Sequence, residues 1–547
     1  MKYFFAILFA FLIGYPGAIH AQLRFTGHVI DSEDKQPLAY VNIGIKQKNI
    51  GTVTSHDGSF TLDVPNKYAK DTITFSMIGY EGYDLPLQAL ESSKIHSINL
   101  VRKNTMLKEV TVAGQELKER RFGIKRRGLL IHFADGMFNK NDSYEIGQLI
   151  KLGSTPAKLT SLNLYVLEPR DDSITFRINF YRYSDGQPAE RVVDKNIVHK
   201  QAIKKGWLQF NLADFDISLS GDVVATLEFM PQHKEEIKPI SYEVKLGGTS
   251  KSFYRRSSLG TWNTPPHHYC LNVTALVNKG APEPLDEDLE SIPAFVFPSD
   301  IIKDNFSVFV NLPEDYDKDA SKKHPVLFLL DGNAYFDHIK ANVEEYSSKK
   351  HDSIITPIVI GIGYKNAYLM DSLRVRDYTY PKALPTDSFP TSGGADRFYA
   401  FITKELIPYI DKNYRTDTTS RTIMGHSFGG YFVLYALLRD RTSEENGHPQ
   451  FNCYVSASPS LGYRDGYIVR QLEQGLKGAR PYAIEQKVYL TMGERELDHN
   501  ATPLHTKLKK ILYEQKNIHL KTKIYRNTDH LGTAVPTFDD AIRSIYE

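Results

Sequence analysis

Cysteine is nearly absent from this 547-residue sequence; only Cys270 and Cys453 occur. They fall in segments assigned below to different domains, which argues against a structural disulfide and leaves stability to apolar cores. No CxxC or HExxH spacing is present, so nothing announces a metal site, and no cofactor is expected. An excess of charge of one sign is also lacking. Lys and Arg number 67 against 65 Asp and Glu, a net charge of +2, which supplies no global field for nucleic acid or an anionic membrane. A neutral or modest-sized substrate is the default. Long apolar runs are scarce too. The first residues, "MKYFFAILFAFLIGYPGAIHAQ", carry one lysine, an apolar run, and Ala18-Ile19-His20-Ala21 before Gln22. The run falls short of the roughly 20 residues a membrane span needs. It reads as a secretory signal peptide over 1–21, which predicts export to the periplasm or association with the outer membrane, with secretion as the alternative.

The length fits three or four domains at about 150 residues each. From 22 to 114 the chain runs in short β-type segments punctuated by Gly, Asp-Gly and Pro, such as "RFTGHVID", "AYVNIGIK" and "GTVTSHDGSFTLDVP", as a small sandwich should. These segments, with "SMIGY", resemble the carboxypeptidase-regulatory-like domain, a prealbumin-type β-sandwich of exported bacterial proteins. That resemblance implies no catalysis. "LKEVTVAG" follows it, as it does in envelope proteins where a barrel comes next, but no run of alternating ten-residue strands is found downstream. Residues 115–277 keep a β flavour with poor helical periodicity, which predicts a second, jelly-roll-like sandwich. Trp262 there is a candidate for sugar stacking, with core or loop packing as the commoner use of tryptophan. Prolines and acids over 278–293 read as a linker.

After that the pattern changes. In 294–547 buried-type strands, "HPVLFLLDG" and "IITPIVIGIGY", alternate with amphipathic helices, the signature of a doubly wound, mostly parallel α/β sheet covered on both faces. One helix, "DRFYAFITKELIPYIDKNY", places Phe398, Ile402, Leu406 and Ile410 on one stripe. "TIMGHSFGGYFVLYALL", Thr422 to Leu438, then fits G-x-S-x-G between a strand and a helix. That setting makes a nucleophile elbow, where glycines permit a tight turn and Ser427 is lifted above the sheet's carboxyl edge. His426, on the same turn, is expected to point away. A serine needs a base within reach and a third group to orient it. In α/β hydrolases the order is Ser, acid, His, which selects His530 in the last loop as base. Glu496 is the preferred acid, with Glu494 and Asp498 as alternatives on the same loop and Asp529 beside His530. His499, His505 and His519 are read as solvated surface.

These residues resemble the bacterial esterase D type of α/β hydrolase, which includes feruloyl and acetyl xylan esterases, siderophore esterases and S-formylglutathione hydrolases. The resemblance runs through "VLFLLDGNAYF", "SGGADRFYAFITKELIPYIDKNYRT", the elbow, "FNCYVSASPSLGYRDG" and the His530 loop. It implies an oxyanion hole from the Phe428 N–H and a backbone N–H near Gly332 and Asn333. Where many relatives have "SPSLWW" this chain has "SPSLGY", so pocket shape does not transfer. "RVRDYTYP" resembles a family loop near the site, and Arg374 and Arg376 could bind a substrate carboxylate or lie in solvent. The expectation is an exported serine esterase acting without a cofactor on a small-molecule or glycan-linked ester. Acetyl or feruloyl esters of carbohydrate lead, from export and the β modules, which could also associate with glycan or the cell envelope. A siderophore trilactone is the close alternative and would favour cationic groups near the pocket. An inactive envelope scaffold and an acyltransferase are the rival classes.

Overall fold

The computed structural model describes residues 22–92, 94–103, 116–133, 140–231, 240–246, 250–265, 267–282, 288, 291–350, 356–387, 389–442, 449–477, 485–499 and 501–546. The expected signal peptide, "LKEVTVAG" and much of the 278–293 segment lie outside the described residues.

The N-terminal unit has two sheets. Strand Gln22–Asp31 lies between Ser59–Pro65, antiparallel, and Ile95–Leu100, parallel. The other sheet has four strands around Asn42–Gly44 and Thr72–Ser76. Alternation in "SFTLDVP" turns Phe60, Leu62 and Val64 inward, where they meet Ile43, Ile73 and Phe75 of the second sheet in one core. A middle unit follows, with a six-stranded and an eight-stranded sheet paired antiparallel. Ile146, Ile178 and Leu227 of one sheet share a core with Leu162, Leu164 and Val273 of the other. The two β units are joined: Val53 N–H donates to Asn141 O at 2.8 Å and Gln47 N–H to Leu259 O at 2.9 Å.

The C-terminal unit is built on an eight-stranded sheet. Strands Phe295–Ser299 and Asp304–Asn311 pair antiparallel at one side. The rest run parallel, in the order Ile358–Tyr364, His324–Leu329, Thr416–His426, Cys453–Ala457, Gln486–Gly493 and Ile518–Tyr525. Every residue of His324–Leu329 and Ile358–Tyr364 is buried, because helices cover both faces. Helix Gly332–Lys350 packs with Ala534–Tyr546, and Phe428–Thr442 packs with Met370–Tyr378, Ala395–Phe401 and Tyr467–Gly475. The stripe of Phe398, Ile402, Leu406 and Ile410 is fully buried. A four-residue repeat drifts by about 40° per step on an α-helix. Here a π-helical turn over Ile402–Leu406 separates Ala395–Phe401 from Ile407–Asn413 and reduces that drift.

Cys270 and Cys453 are both buried free thiols. Trp262 is half-buried, edge-on to Tyr181 with the Arg255 guanidinium 4.6 Å from its ring centroid, so packing engages its face. Within the linker segment Asp288 is docked: its fully buried carboxylate accepts from the Lys125 and Arg126 N–H groups and from Lys245 Nζ. Among the described residues no helix is long and apolar enough to cross a membrane.

Candidate active site

The parallel strands end at one edge, and three of the four central ones are followed by a non-glycine residue with positive φ. Asp331 follows His324–Leu329 at φ +54°, Ser427 follows Thr416–His426 at +62°, and Ser458 follows Cys453–Ala457 at +38°. Such conformations cost about 1–3 kcal/mol each and persist only where the surroundings over-determine them. At the Ser427 turn the surroundings are backbone. A Cβ on Gly425 would lie 2.6 Å from the Gly429 carbonyl carbon, and one on Gly430 would lie 2.7 Å from Ala457 O, so both positions demand glycine. Ser427 N–H donates to Ala457 O at 3.0 Å, and Ser427 O accepts from Tyr431 N–H at 2.9 Å and Ser460 N–H at 3.2 Å. Half-buried, Ser427 stands before helix Phe428–Thr442, whose first N–H groups have no intrahelical acceptor. Its Oγ is 3.4 Å from Ser460 Oγ; no hydrogen bond to His530 is formed in this state.

His530 and Glu496 meet. Nδ1 of His530 donates to Glu496 Oε2 at 2.5 Å, with the imidazole about half exposed and the carboxylate 11% exposed. The other carboxylate oxygen accepts from Ser458 Oγ at 2.6 Å, Gly493 N–H at 2.7 Å and Thr533 Oγ1 at 3.2 Å. Burial pushes the Glu496 carboxyl up, but the His530 bond and charge, with Ser458 and Gly493, outweigh it and hold it below its ordinary value. Its acidic neighbours accept backbone N–H groups. Glu494 accepts the Asn527 N–H at 2.8 Å, Asp498 accepts the Ala501 N–H at the start of helix Ala501–Tyr513 at 2.7 Å, and Asp529 accepts the Gly532 N–H at 2.8 Å.

His426, expected to point away from the serine beside it, packs on the His530 loop. Fully buried, it lies against His530 with ring centroids 4.7 Å apart. Its Nε2–H donates to the His530 carbonyl at 2.7 Å, which leaves Nδ1 to accept from the Tyr335 hydroxyl at 3.0 Å. Burial first, and then the neighbouring His530, push its pKa well below the usual histidine value, so it stays neutral. It ties the His530 loop to the residue preceding Ser427. His505 is likewise buried rather than solvated, because its helix turns it inward. His519 is exposed beside Glu485, and His499 is exposed.

Gly332 and Asn333 open helix Gly332–Lys350, so their N–H groups also lack intrahelical acceptors. The Asn333 side chain is clamped, accepting from Tyr364 N–H at 2.6 Å and donating to Tyr364 O at 3.1 Å. Arg374 joins this loop to the elbow. Its guanidinium grips Asp331 through Nε at 3.0 Å and Nη2 at 2.9 Å, and Nη2 also donates to His426 O at 3.1 Å. Arg376 is paired with Asp377 and Asp304. Both arginines are therefore engaged by acids of this chain, neither solvated nor held out for a substrate carboxylate. The sequence reading missed Asp331, Tyr335, Ser458 and the role of His426. The only local signals were Asp331 directly after a strand and a histidine directly before the serine.

An esterase family model matches residues 299–461, and the CarboxypepD_reg-like domain model matches residues 25–112. The chain is 30% identical over 224 residues to the ferri-bacillibactin esterase BesA of Bacillus subtilis, an alignment spanning 38% of this chain and 74% of that protein. It is 31% identical over 147 residues to the apo-salmochelin esterase of Escherichia coli, spanning 25% of this chain and 42% of that one. Among solved structures, the BES protein of Bacillus cereus aligns with a TM-score of 0.40 at 24% identity, covering 46% of this chain and 95% of its own. The chain belongs to the esterase family and is a serine ester hydrolase preceded by a carboxypeptidase-regulatory-like domain.

Proposed function

We propose that Ser427 is the nucleophile, His530 the general base and Glu496 the group that orients it, in a unit of α/β-hydrolase type. The reading is carried by one observation: the His530–Glu496 pair is tied by its own backbone to the turn that bears Ser427. In this reading the Ser427 hydroxyl exchanges its Ser460 partner for Nε2 of His530 when the ester binds. That nitrogen takes the proton as Oγ attacks the ester carbonyl, while Glu496 stabilises the imidazolium formed. The N–H groups of Phe428 and of Asn333 or Gly332 receive the oxyanion, each such donor contributing on the order of 3 kcal/mol to the transition state. His530 then protonates the leaving alcohol and activates water to release the acid. No step calls for a metal or cofactor.

The substrate is an ester of siderophore type, as the names of the two curated relatives suggest, and the enzyme acts after export. The carbohydrate acyl ester expected from the β modules draws no support from the site itself. The test is a panel of a catecholate trilactone, acetylated xylan and feruloylated arabinose, each with the full-length chain and its Ser427→Ala variant. Acid released from the trilactone alone, and only with Ser427 present, is the expected result. Release from the sugar esters instead would restore the carbohydrate reading.

A further inference from the structure

A cavity of about 180 Å³ lies where the middle β unit meets the loops that carry Glu496 and His530. Arg495 and Asp529, the chain neighbours of those two residues, stand on one wall together with Thr528. Arg495 N–H donates to Thr528 O at 3.1 Å, so the two loops are joined at the cavity itself. The facing wall belongs to the middle unit, with Tyr254, Arg256, Thr264 and Tyr269.

Arg256 follows strand Ser252–Arg255. Successive side chains on a strand point to opposite faces, and here that alternation separates two arginines. Arg255 turns into the middle unit's buried network, where its Nε donates to Glu145 at 2.7 Å. Tyr254 and Arg256 turn to the cavity. Half-buried, Arg256 makes no hydrogen bond or ion pair with any described residue, and its Nε is shielded from solvent without a partner. Its guanidinium lies 5.7 Å from the Tyr254 ring centroid, and a ring face compensates a cation only in part. Asp529 on the opposite wall is no counter-ion, since its carboxylate accepts the Gly532 N–H at 2.8 Å and forms no ion pair with Arg256. Taking a charge partly out of water without a counter-charge is costly. A carboxylate matches the planar fork of a guanidinium. The cavity is smaller than the roughly 300 Å³ at which drug-sized sites begin, and Tyr254 and Tyr269 line it with ring carbon, which suits a compact acid with an apolar body.

We propose that this cavity is a binding site for a small organic carboxylate, held by Arg256 between the middle β unit and the loops of Glu496 and His530. The site is separate from Ser427 and does not depend on the esterase reading. Benzoate is the probe, titrated calorimetrically into the full-length chain. It should bind saturably at one equivalent. Benzamide, which lacks the charge, and inorganic phosphate, which lacks the ring, should each bind about tenfold or more weaker. Arg256→Gln should weaken benzoate about tenfold or more, and Arg256→Lys, which keeps the charge and loses the fork, should weaken it less. Thr264→Phe changes an exposed residue and leaves the arginine in place; by filling the cavity it should also weaken benzoate about tenfold or more. Blocking Ser427 with diisopropyl fluorophosphate should leave the affinity unchanged. Equal affinity for benzoate, benzamide and phosphate, or binding indifferent to both Arg256→Gln and Thr264→Phe, overturns the site. Loss of binding once Ser427 is blocked moves benzoate to the nucleophile and overturns it as well. Failure of the reagent to label Ser427 counts against the esterase reading alone, while the calorimetry still decides the site.

Discussion

His426 Nε2 donates to the backbone carbonyl of His530 at 2.7 Å, and the two rings stand 4.7 Å apart. The residue before the proposed nucleophile thus ties down the loop of the proposed base, and that carbonyl, an acceptor only, fixes the His426 tautomer and leaves Nδ1 to accept from the Tyr335 hydroxyl. His426→Leu removes that donor without touching Ser427 or Glu496. Because small misplacements of a catalytic group are costly, kcat should fall by about 10- to 100-fold with KM little changed. An unchanged kcat would show that the His530 loop positions itself.

The acid can be separated from its neighbours by the same logic. Glu496 accepts from His530, Ser458, Gly493 and Thr533, whereas Glu494 accepts the Asn527 N–H and Asp498 the Ala501 N–H. Glu496→Gln should lower kcat by about 10³- to 10⁴-fold, as neutralising the orienting carboxylate does in serine hydrolases. Glu494→Gln and Asp498→Asn should each stay within about threefold of the parent, since surface changes of this kind are small. Circular dichroism of each variant separates loss of turnover from loss of fold. Equal losses in all three would remove Glu496 from its place.

Much of this was legible before any coordinates. The hydrophobic run "VLFLL" and the strand-turn-helix around "GHSFG" specify backbone, and backbone geometry at Ser427 follows from local steric demands at Gly425 and Gly430. What was not legible depends on pairs distant in sequence. Arg374 reads as a surface cation because nothing near it announces Asp331, 43 positions earlier. His505 sits in a polar-looking helix, and only packing decides which face turns inward. The Ser458 hydroxyl belongs to a run of small residues whose special backbone appears only when the strand end is seen beside Glu496.

Arg374 and Asp331 form a largely enclosed pair, 14% and 2% exposed, that clamps the loop of Gly332 and Asn333 to the elbow. Burial opposes the Arg374 charge, but Asp331 outweighs it and raises its pKa. Arg374→Met should cost about 3–5 kcal/mol of stability, because it leaves a buried carboxylate uncompensated. Adding Asp331→Asn should recover part of the melting temperature but not kcat, since the loop remains unclamped. Recovery of both would reduce the pair to a structural ion pair.

His426 also makes a prediction about pH. Its folded-state pKa lies well below the ordinary value of 6.5, so in the window under 6.5 the unfolded chain binds a proton that the folded chain refuses. Stability therefore falls as pH drops below about 6.5, with a slope approaching about 1.4 kcal/mol per pH unit from this group. His426→Gln lacks that term. The difference between parent and variant in urea midpoint should shrink progressively from pH 7 to pH 5, and a constant difference would mean that the fold leaves the His426 pKa unshifted.

The elbow itself stores strain that can be read directly. Ser427 holds φ at +62°, a region where a Cβ is unfavourable by about 1–2 kcal/mol. Ser427→Ala keeps the Cβ and Ser427→Gly removes it, while both delete the hydroxyl. Glycine relieves the folded state but loosens the unfolded chain by about 0.5–1 kcal/mol, so the net advantage of Gly over Ala should be about 0.5–1 kcal/mol. Both variants should be inert toward esters. If alanine were the more stable of the two, the turn would be relaxed with its side chain in place, and the positive φ would reflect no tension at Ser427.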